Sequence, residues 1–323
     1  MMGSSMGDPK HHRRSVRHLL SVSQLSLEEI QEILNLSSEM EEQLKRMPQL
    51  NRLPGRILAS LFFEPSTRTR FSFEAAILKL GGSVIQAAGS SSSLEKGESF
   101  EDTGRVLSRL ADVIVLRHPL EHAVHEVARG SSVPVINAGN GSSEHPTQAL
   151  LDLYSISKAH PECRGLKVGF VGDLLYGRAA HSTIEILSRF ETQFALISHP
   201  SLRLSSERLA ALQMRGCQVL ETQDLQSVLP ELDVLYVTRV QKERFSDPSH
   251  YEAVKNAYRI DATMLKKAKK TLSLLHPLPR LDEIAGEVDH DPRAGYWDQV
   301  SNGVFVRMAV LAWLTQKSVS SLE

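Results

Sequence analysis

The chain has 323 residues, of which 41% are hydrophobic and 23% charged, and its formal net charge is -1. This composition is typical of a globular protein, and the length suggests about two domains. The near-neutral charge argues against a nucleic-acid binder, which would usually carry a basic excess. Because no apolar run approaches the roughly 20 residues that span a bilayer, we expect no membrane partner.

The N-terminus and the cysteines give little functional information. Residues 1–16 are polar and basic and lack the apolar stretch of a secretory signal, so they are predicted to be a disordered or tag-like tail. Cys163 and Cys217 are too isolated for a disulfide framework or a CxxC metal site. This pattern favours a reduced, cytoplasmic protein.

Short β-type runs alternate with helical patterns along the chain. The predicted strands are 56–63, 111–118, 133–139, 166–173, 194–198, 233–240 and 271–278. The predicted helices include 27–44, 147–159 and a nearly all-apolar last helix over 302–317. Alternation of this kind predicts an α/β fold with two doubly wound domains and parallel sheets. We expect 17–146 with 302–323 to form the first domain, on which the C-terminal helix packs, and 147–301 to form the second.

The stretch "FFEPSTRTRFSFE", residues 62–74, follows the first predicted strand and turns helical, with Phe71 and Leu78 on the same face. Ser66 is the expected N-cap of this helix. Capping does not explain Arg68, because the helix dipole disfavours a cation in the first turn. A bound anion would remove this conflict, since backbone N–H groups, hydroxyls and a guanidinium at a helix start form a phosphate site.

Two further motifs place polar side chains after strands of the first half. "NAGNGSSEHPTQALLDLYSI", residues 137–156, contains a glycine turn followed by His145 and Gln148. "VIVLRHP" places Arg117 at the end of another strand, where a surface salt bridge would be the ordinary role. Ligands of α/β proteins bind outside the carboxyl ends of the strands, so both motifs are candidate site residues.

The second half contains two arginines in comparable places. Arg178 follows a strand and a glycine turn, and Arg239 ends another strand. Either could be structural, but together they suit a dicarboxylate, because guanidinium pairs with carboxylate bidentately. "HPLPRLDEI", residues 276–284, predicts a rigid turn, and the Ser/Gly-rich patch over 89–99 is typical of a flexible linker.

From about Arg17 to Leu314 the chain resembles the aspartate and ornithine carbamoyltransferase family. The resemblance implies that Thr69, Arg117 and His145 are the catalytic groups at the carbamoyl oxygen, and that Gln148 bonds the carbamoyl amide nitrogen. Arg70 faces another way on the helix and is expected to be structural. The implied carbamoyl-phosphate site consists of Ser66, Thr67, Arg68, Thr69, Arg117, His145 and Gln148.

The resemblance also implies an aspartate site and a shared active site. The aspartate-binding groups would be Arg178, Arg239, Gln241 and the backbone carbonyls of Pro277 and Leu278. Lys96 and Ser92, the best match among the serines at 90–93, would reach into the neighbouring subunit of a homotrimer, so that a monomer is inactive. The resemblance leaves room for a separate regulatory chain or partner pyrimidine enzymes.

Two features favour the aspartate branch of the family. The chain has "HPTQ" and "HPLPR" where ornithine enzymes usually have "HPCQ" and "HCLP", and Arg178 with Arg239 would repel cationic ornithine. The implied reaction converts carbamoyl phosphate and L-aspartate to N-carbamoyl-L-aspartate and phosphate, a step of de novo pyrimidine (UMP) biosynthesis, with no metal or other cofactor. The alternatives are an ornithine or other amino-acid carbamoyltransferase, and a non-catalytic homologue that binds carbamoyl phosphate.

Overall fold

The computed structural model describes residues 16–88, 97–240, 251 and 258–319. It contains two parallel sheets, which confirms the predicted α/β class. The first sheet has the strand order β2-β1-β3-β4, with β1 (Ile57–Phe62), β2 (Ser83–Ala88), β3 (Val113–His118) and β4 (Val135–Asn140). The second has the order β7-β6-β5-β8-β9, with β5 (Lys167–Val171), β6 (Gln193–Ile197), β7 (Val219–Thr222), β8 (Val234–Val237) and β9 (Ser273–Leu275).

Helices connect the strands and cover the sheets. In chain order they are α1 (Leu27–Leu44), α2 (Thr67–Lys79), α3 (Phe100–Leu107), α4 (Ala123–Gly130), α5 (Pro146–Ala159), α6 (Arg178–Leu187), α7 (Ser206–Met214), the short α8 (Leu225–Val228) and α9 (Ala262–Leu265), and α10 (Tyr296–Val319). The predicted helix over 27–44 is confirmed at both ends. None of the described helices is both long and apolar enough to cross a membrane.

The inner strands are buried along most of their length. Residues 58–62 of β1 and all residues of β4 are buried, as expected for parallel strands that have helices on both faces. A continuous apolar run such as "VIVL" in β3 therefore predicts such a strand more directly than an alternating pattern would.

The last helix, α10, packs against α1, α2 and α5 and so returns to the first half of the chain, as predicted. The Trp313 indole donates a hydrogen bond to Glu32 of α1 over 2.8 Å, and the Arg17 guanidinium lies 4.3 Å from the centre of the same ring. α10 begins at Tyr296, six residues before its predicted start at 302. The prediction missed the first turns because polar residues interrupt the apolar pattern there.

Two sequence-based expectations are wrong. β2 and β7 were not predicted, since both are edge strands that lack a continuous buried run. The expected face of α2 is also wrong: Phe71 is 58% and Leu78 51% exposed, whereas Phe73 and Ile77 are fully buried. A helix with apolar residues on several sides gives no unique inner face.

The strand order places two crevices at the same edge of the molecule. In the first sheet the strand order has its switch point between β1 and β3, because the chain continues to β2 on one side of β1 and then crosses to β3 on the other. In the second sheet the switch point lies between β5 and β8. Crevices at such switch points, outside the carboxyl ends of the strands, are the usual ligand sites of open α/β sheets.

The contact between α3 and α4 depends on glycine. A β-carbon at Gly104 would lie 2.2 Å from the Val127 carbonyl oxygen of α4. We expect Gly104→Ala to destabilise the protein by about 1–3 kcal/mol, because the helix backbones must move apart. Gly286→Ala is the control, since a β-carbon there meets no atom within 4 Å. Urea unfolding would measure both; equal midpoints for the two variants would contradict this packing account.

Candidate active site

A cleft of about 780 Å³ lies at the carboxyl ends of strands from both sheets. Its walls include the start of α2, Arg117 near the end of β3, and residues that follow β1, β4, β5, β8 and β9. Each predicted site residue within the described ranges lines it: Ser66, Thr67, Arg68, Thr69, Arg117, His145, Gln148, Arg178, Arg239, Pro277 and Leu278. Gln241, Ser92 and Lys96 lie outside the described residues.

Ser66 occupies the N-cap position of α2, as predicted, but its side chain does not cap the helix. Its hydroxyl instead accepts a hydrogen bond from Nη1 of Arg117 over 3.3 Å. The expectation of a side-chain cap is therefore wrong, because the hydroxyl is directed toward the cleft side of the turn. The first turn of α2 and the end of β3 thus meet at one point.

The two arginines of the "STRTR" motif have different surroundings. Within the described part of the chain, Arg68 forms no ion pair, and burial together with the Arg239 guanidinium lowers its pKa. Arg70 points away from the cleft: its Nε donates to Glu74 over 2.9 Å and its Nη2 to Gln86 over 2.8 Å. These contacts agree with the structural role expected for Arg70. Of the two arginines of the motif, Arg68 is the one that lines the cleft.

Glu64 joins the two halves of the site. Its Oε2 accepts from Nε of Arg117 over 3.2 Å and from Nη2 of Arg178 over 3.0 Å. Arg178 also donates to the Gly141 carbonyl oxygen over 2.5 Å. Burial and the neighbouring Arg178 lower the pKa of Arg117 to about 10, so the Arg117 guanidinium stays cationic at neutral pH. A single carboxylate therefore bonds two arginines from different halves of the chain, Arg117 on β3 and Arg178 at the start of α6.

His145 is buried at the start of α5 and faces Thr69. Its Nε2 lies 3.4 Å from Oγ1 of Thr69, and its backbone N–H donates to the Ser182 hydroxyl over 2.9 Å. Nδ1 is buried and has no hydrogen-bond partner among the residues that the structure describes. Burial, followed by the charges of Arg117 and other arginines of the cleft, lowers the pKa of His145 well below its ordinary value. The imidazole is therefore neutral at physiological pH.

The Pro277–Leu278 turn is held by a buried histidine. The Leu278 N–H donates to Nδ1 of His276 over 2.7 Å, and Nε2 of His276 lies 2.7 Å from Oε1 of Glu283. Because Nδ1 accepts, the ring proton is on Nε2. Leu278 has a φ of +55°, a conformation that costs a non-glycine residue roughly 1–2 kcal/mol and persists only when the surrounding structure fixes it.

The cleft is also lined by residues that the sequence did not single out, among them Glu64, His276, Gln299 and Arg307. Two of them had a recognisable signal. Glu64 lies inside the conspicuous "FFEPST" run, and Arg307 is a charge in an otherwise apolar helix. A fully buried arginine is rare and usually has a partner or a function. Among the described residues, no group of three or more His, Cys, Asp or Glu side chains is arranged to hold a metal ion.

Comparison with protein-family models matches both halves of the chain. Residues 17–158 match the carbamoyl-P binding domain of aspartate/ornithine carbamoyltransferase, and residues 164–314 match its Asp/Orn binding domain. The chain belongs to the aspartate/ornithine carbamoyltransferase family.

Individual carbamoyltransferases are similar over nearly the whole chain. The aspartate carbamoyltransferase catalytic subunit of Thermococcus onnurineus is 49% identical over 91% of this chain and 96% of that protein. The solved catalytic subunit of M. jannaschii aspartate transcarbamoylase is 46% identical, covers 94% of this chain and 99% of its own, and has a TM-score of 0.87. Aspartate transcarbamoylase of Trypanosoma cruzi, solved with carbamoyl phosphate and aspartate, is 39% identical, covers 92% and 96%, and also has a TM-score of 0.87.

The environment of His145 predicts an unusual titration. At a pH of about 6.5 an ordinary histidine is half protonated, whereas we expect the His145 ring to remain neutral because of its burial and the nearby arginines. NMR of ¹⁵N-labelled histidine would measure this, with His145→Gln to assign the signal and the urea-unfolded chain as the control. A ring half protonated at that pH in the folded protein would contradict the electrostatic account.

The lowered pKa of His145 also makes the stability of the folded protein depend on pH. His145 binds a proton more tightly in the unfolded chain than in the folded chain. Its contribution to the free energy of unfolding is therefore fully present above a pH of about 6.5, where the ring is neutral in both states. The free energy of unfolding is then expected to decrease as the pH falls below that value. His181, whose pKa is lowered to about 4 mainly by burial, adds to the same decrease.

Proposed function

We propose that the chain transfers the carbamoyl group of carbamoyl phosphate to the α-amine of L-aspartate, forming N-carbamoyl-L-aspartate and phosphate in pyrimidine synthesis. The observation that carries the proposal is the cleft itself: arginines from both halves of the chain line it, together with a helix start and a buried neutral histidine. Both substrates are anions, and carbamoyl phosphate and aspartate occupy the related T. cruzi enzyme.

The phosphate end of carbamoyl phosphate is assigned to the start of α2. Ser66, Thr67, Arg68 and Thr69 belong to its first turn and N-cap, where backbone N–H groups and the helix dipole favour an anion. Arg68 has no carboxylate partner among the described residues, so a phosphate would supply the charge that its surroundings lack.

The carbamoyl oxygen is assigned to Thr69, Arg117 and His145. Thr69 and His145 lie 3.4 Å apart and come from different strand ends, so a carbonyl oxygen between them would meet donors from several elements. Negative charge develops on that oxygen when the uncharged amine attacks the carbamoyl carbon. Donors that are already in place stabilise this charge without reorganisation, which commonly contributes about 10²–10³ in rate per donor. The phosphate then departs with the electron pair of the broken C–O bond and accepts the proton that the attacking amine loses.

The two carboxylates of aspartate are assigned to Arg178 and Arg239, with Gln241 as a further contact. Backbone carbonyls of Pro277 and Leu278 would orient the attacking amine, and His276 holds that turn in place. Glu64 now accepts from Arg178, so an aspartate carboxylate would replace Glu64 at this guanidinium. The excess of positive charge favours aspartate over ornithine, whose distal amine is a cation.

We further propose a homotrimer in which each active site is completed by Ser92 and Lys96 of a neighbouring subunit. We also propose that residues 17–146 with 302–323 form the carbamoyl-phosphate domain and 147–301 the aspartate domain, and that the enzyme acts in the cytoplasm. The sequence resemblance to the family supports these assignments.

Arg68→Ala tests the phosphate site. We expect turnover to fall by at least about 10²-fold and carbamoyl-phosphate binding to weaken, because a charged contact to the transferring group is lost. Arg70→Ala is the matched control: it removes an arginine two positions away whose contacts are to Glu74 and Gln86, and we expect a much smaller change.

A colorimetric assay for carbamoyl-aspartate, run in parallel with ornithine as acceptor, would measure both variants. Product from aspartate and little from ornithine is the expected result. Normal turnover in Arg68→Ala would refute the phosphate assignment, and carbamoyl-phosphate binding without any product would favour a non-catalytic homologue.

Mixing two inactive variants tests the shared site. Lys96→Ala and Arg68→Ala remove groups that we assign to the same active site but to different subunits. Reassembled mixtures should therefore regain part of the activity, since some sites then receive intact groups from both chains. Verified mixed oligomers without any recovery would contradict the shared site.

A further inference from the structure

Asp152 is a buried carboxylate that the proposed reaction does not use. It lies on α5, one turn beyond Gln148, and is fully buried. Its Oδ1 accepts from Nε2 of Gln148 over 2.8 Å and from Nε2 of Gln299 over 2.7 Å. Its Oδ2 accepts from the hydroxyls of Thr183 and Tyr236, both over 2.8 Å. Four donors thus converge on one carboxylate from four different elements.

At neutral pH Asp152 can only accept hydrogen bonds. Burial raises its pKa to about 6, against which the hydrogen bonds from Tyr236 and the other donors act. The group is therefore ionised at pH 7 and above, and an ionised carboxylate has no proton to donate. Every side chain bonded to it must present a donor.

This constraint fixes the orientation of Gln148. An amide has one donating and one accepting end, and a glutamine side chain could present either end to the cleft. Because Asp152 only accepts, Nε2 of Gln148 must face it. The amide oxygen of Gln148 is left for the cleft, which Gln148 lines. An oxygen in that place accepts from an N–H group of a ligand and gains nothing from a methyl group.

We propose that Asp152 is a positioning residue that holds the Gln148 amide oxygen toward the cleft and thereby makes the site select a carbamoyl group over an acyl group of the same shape. The inference rests on the proposed function, since it concerns the group that is transferred. Carbamoyl phosphate carries an NH₂ where acetyl phosphate carries a methyl, and the two share the carbonyl and the phosphate.

The other partners of Asp152 reach the second half of the site. Gln299 donates to Asp152 and accepts from the backbone N–H of His276 over 2.8 Å, so both ends of its amide are occupied. Thr183 belongs to α6, which begins at Arg178, and Tyr236 belongs to β8. Removing Asp152 could therefore loosen the site in general, and a test must separate such loosening from a specific effect on Gln148.

The test compares ligands that differ only at the selected group. Affinities of the intact oligomer for carbamoyl phosphate, acetyl phosphate and inorganic phosphate would be measured by calorimetry at pH 8, where Asp152 is ionised. In Asp152→Leu the preference for carbamoyl over acetyl phosphate should fall about fivefold or more, which corresponds to one misdirected hydrogen bond. Phosphate affinity should stay within about twofold, whereas general loosening would weaken all three ligands alike.

Two control variants complete the cycle. Thr183→Val removes a donor to the other carboxylate oxygen and leaves the bond from Gln148, so the preference should be kept even if stability falls. Gln148→Leu removes the selecting amide itself, and adding Asp152→Leu to it should cause no further loss of preference, because the two side chains act as one unit. An unchanged preference in Asp152→Leu, or an equal loss in Thr183→Val, would overturn the inference.

An isosteric variant keeps the inference testable if Asp152→Leu does not fold. Asp152→Asn can direct its oxygen to both glutamines and its NH₂ to the two hydroxyls, which can turn to accept, so the preference should be kept. Gln299 favours this orientation, because its own amide oxygen accepts from His276 and its NH₂ therefore faces residue 152. Loss of the preference in Asp152→Asn overturns the inference.

The same measurements distinguish the two levels of the account. A wild-type protein that forms no carbamoyl-aspartate overturns the proposed function and this inference with it. A wild-type protein that forms the product and shows no loss of preference on Asp152→Leu overturns this inference alone.

Discussion

The crowding of guanidinium groups in one cleft is the constraint on which the rest of the structure depends. Arg68, Arg117, Arg178, Arg239 and Arg307 line it, and Glu64 is the one carboxylate among the described lining residues. Like charges that lie close together in a cleft oppose folding unless each is solvated, paired with an opposite charge or neutralised by a ligand. Glu64 accepts from two of them and Arg68 has no carboxylate partner among the described residues, so the cleft has an excess of positive charge. An anion with a phosphate at one end and carboxylates at the other matches this distribution.

The two sheets produce this crowding through their strand order. Each sheet has its switch point beside the cleft, so the end of β3 and the segments after β1, β5 and β8 converge although they lie far apart in the sequence. Buried polar links then fix the distances. Glu64 joins Arg117 to Arg178, and Asp152 joins α5 to α6, β8 and α10. Burying a carboxylate costs free energy, and the four donors around Asp152 offset that cost. The same hydrogen bonds fix the positions of α5, α6, β8 and α10 relative to one another.

The sequence predicted the α/β fold and the return of the last helix to the first half of the chain. The predicted site residues that the structure describes all line the cleft. Long apolar runs identify inner parallel strands, and an arginine in the first turn of a helix conflicts with the helix dipole and so predicts a bound anion. It did not find the edge strands β2 and β7, the buried face of α2, or the side-chain orientation of Ser66, because these depend on tertiary neighbours. Nor could it find Asp152 and Gln299 as supports, since a hydrogen bond between residues 147 positions apart leaves no local pattern.

A crystal structure of this chain with N-(phosphonacetyl)-L-aspartic acid, the compound bound in a related T. cruzi enzyme, tests the central claim most directly. The account predicts that the phosphonate lies at the first turn of α2 beside Arg68, and that the two aspartate carboxylates meet Arg178 and Arg239. It also predicts that Glu64 no longer bonds Arg178. A phosphonate bound away from α2, or Arg178 still bonded to Glu64 with the carboxylates elsewhere, would contradict it.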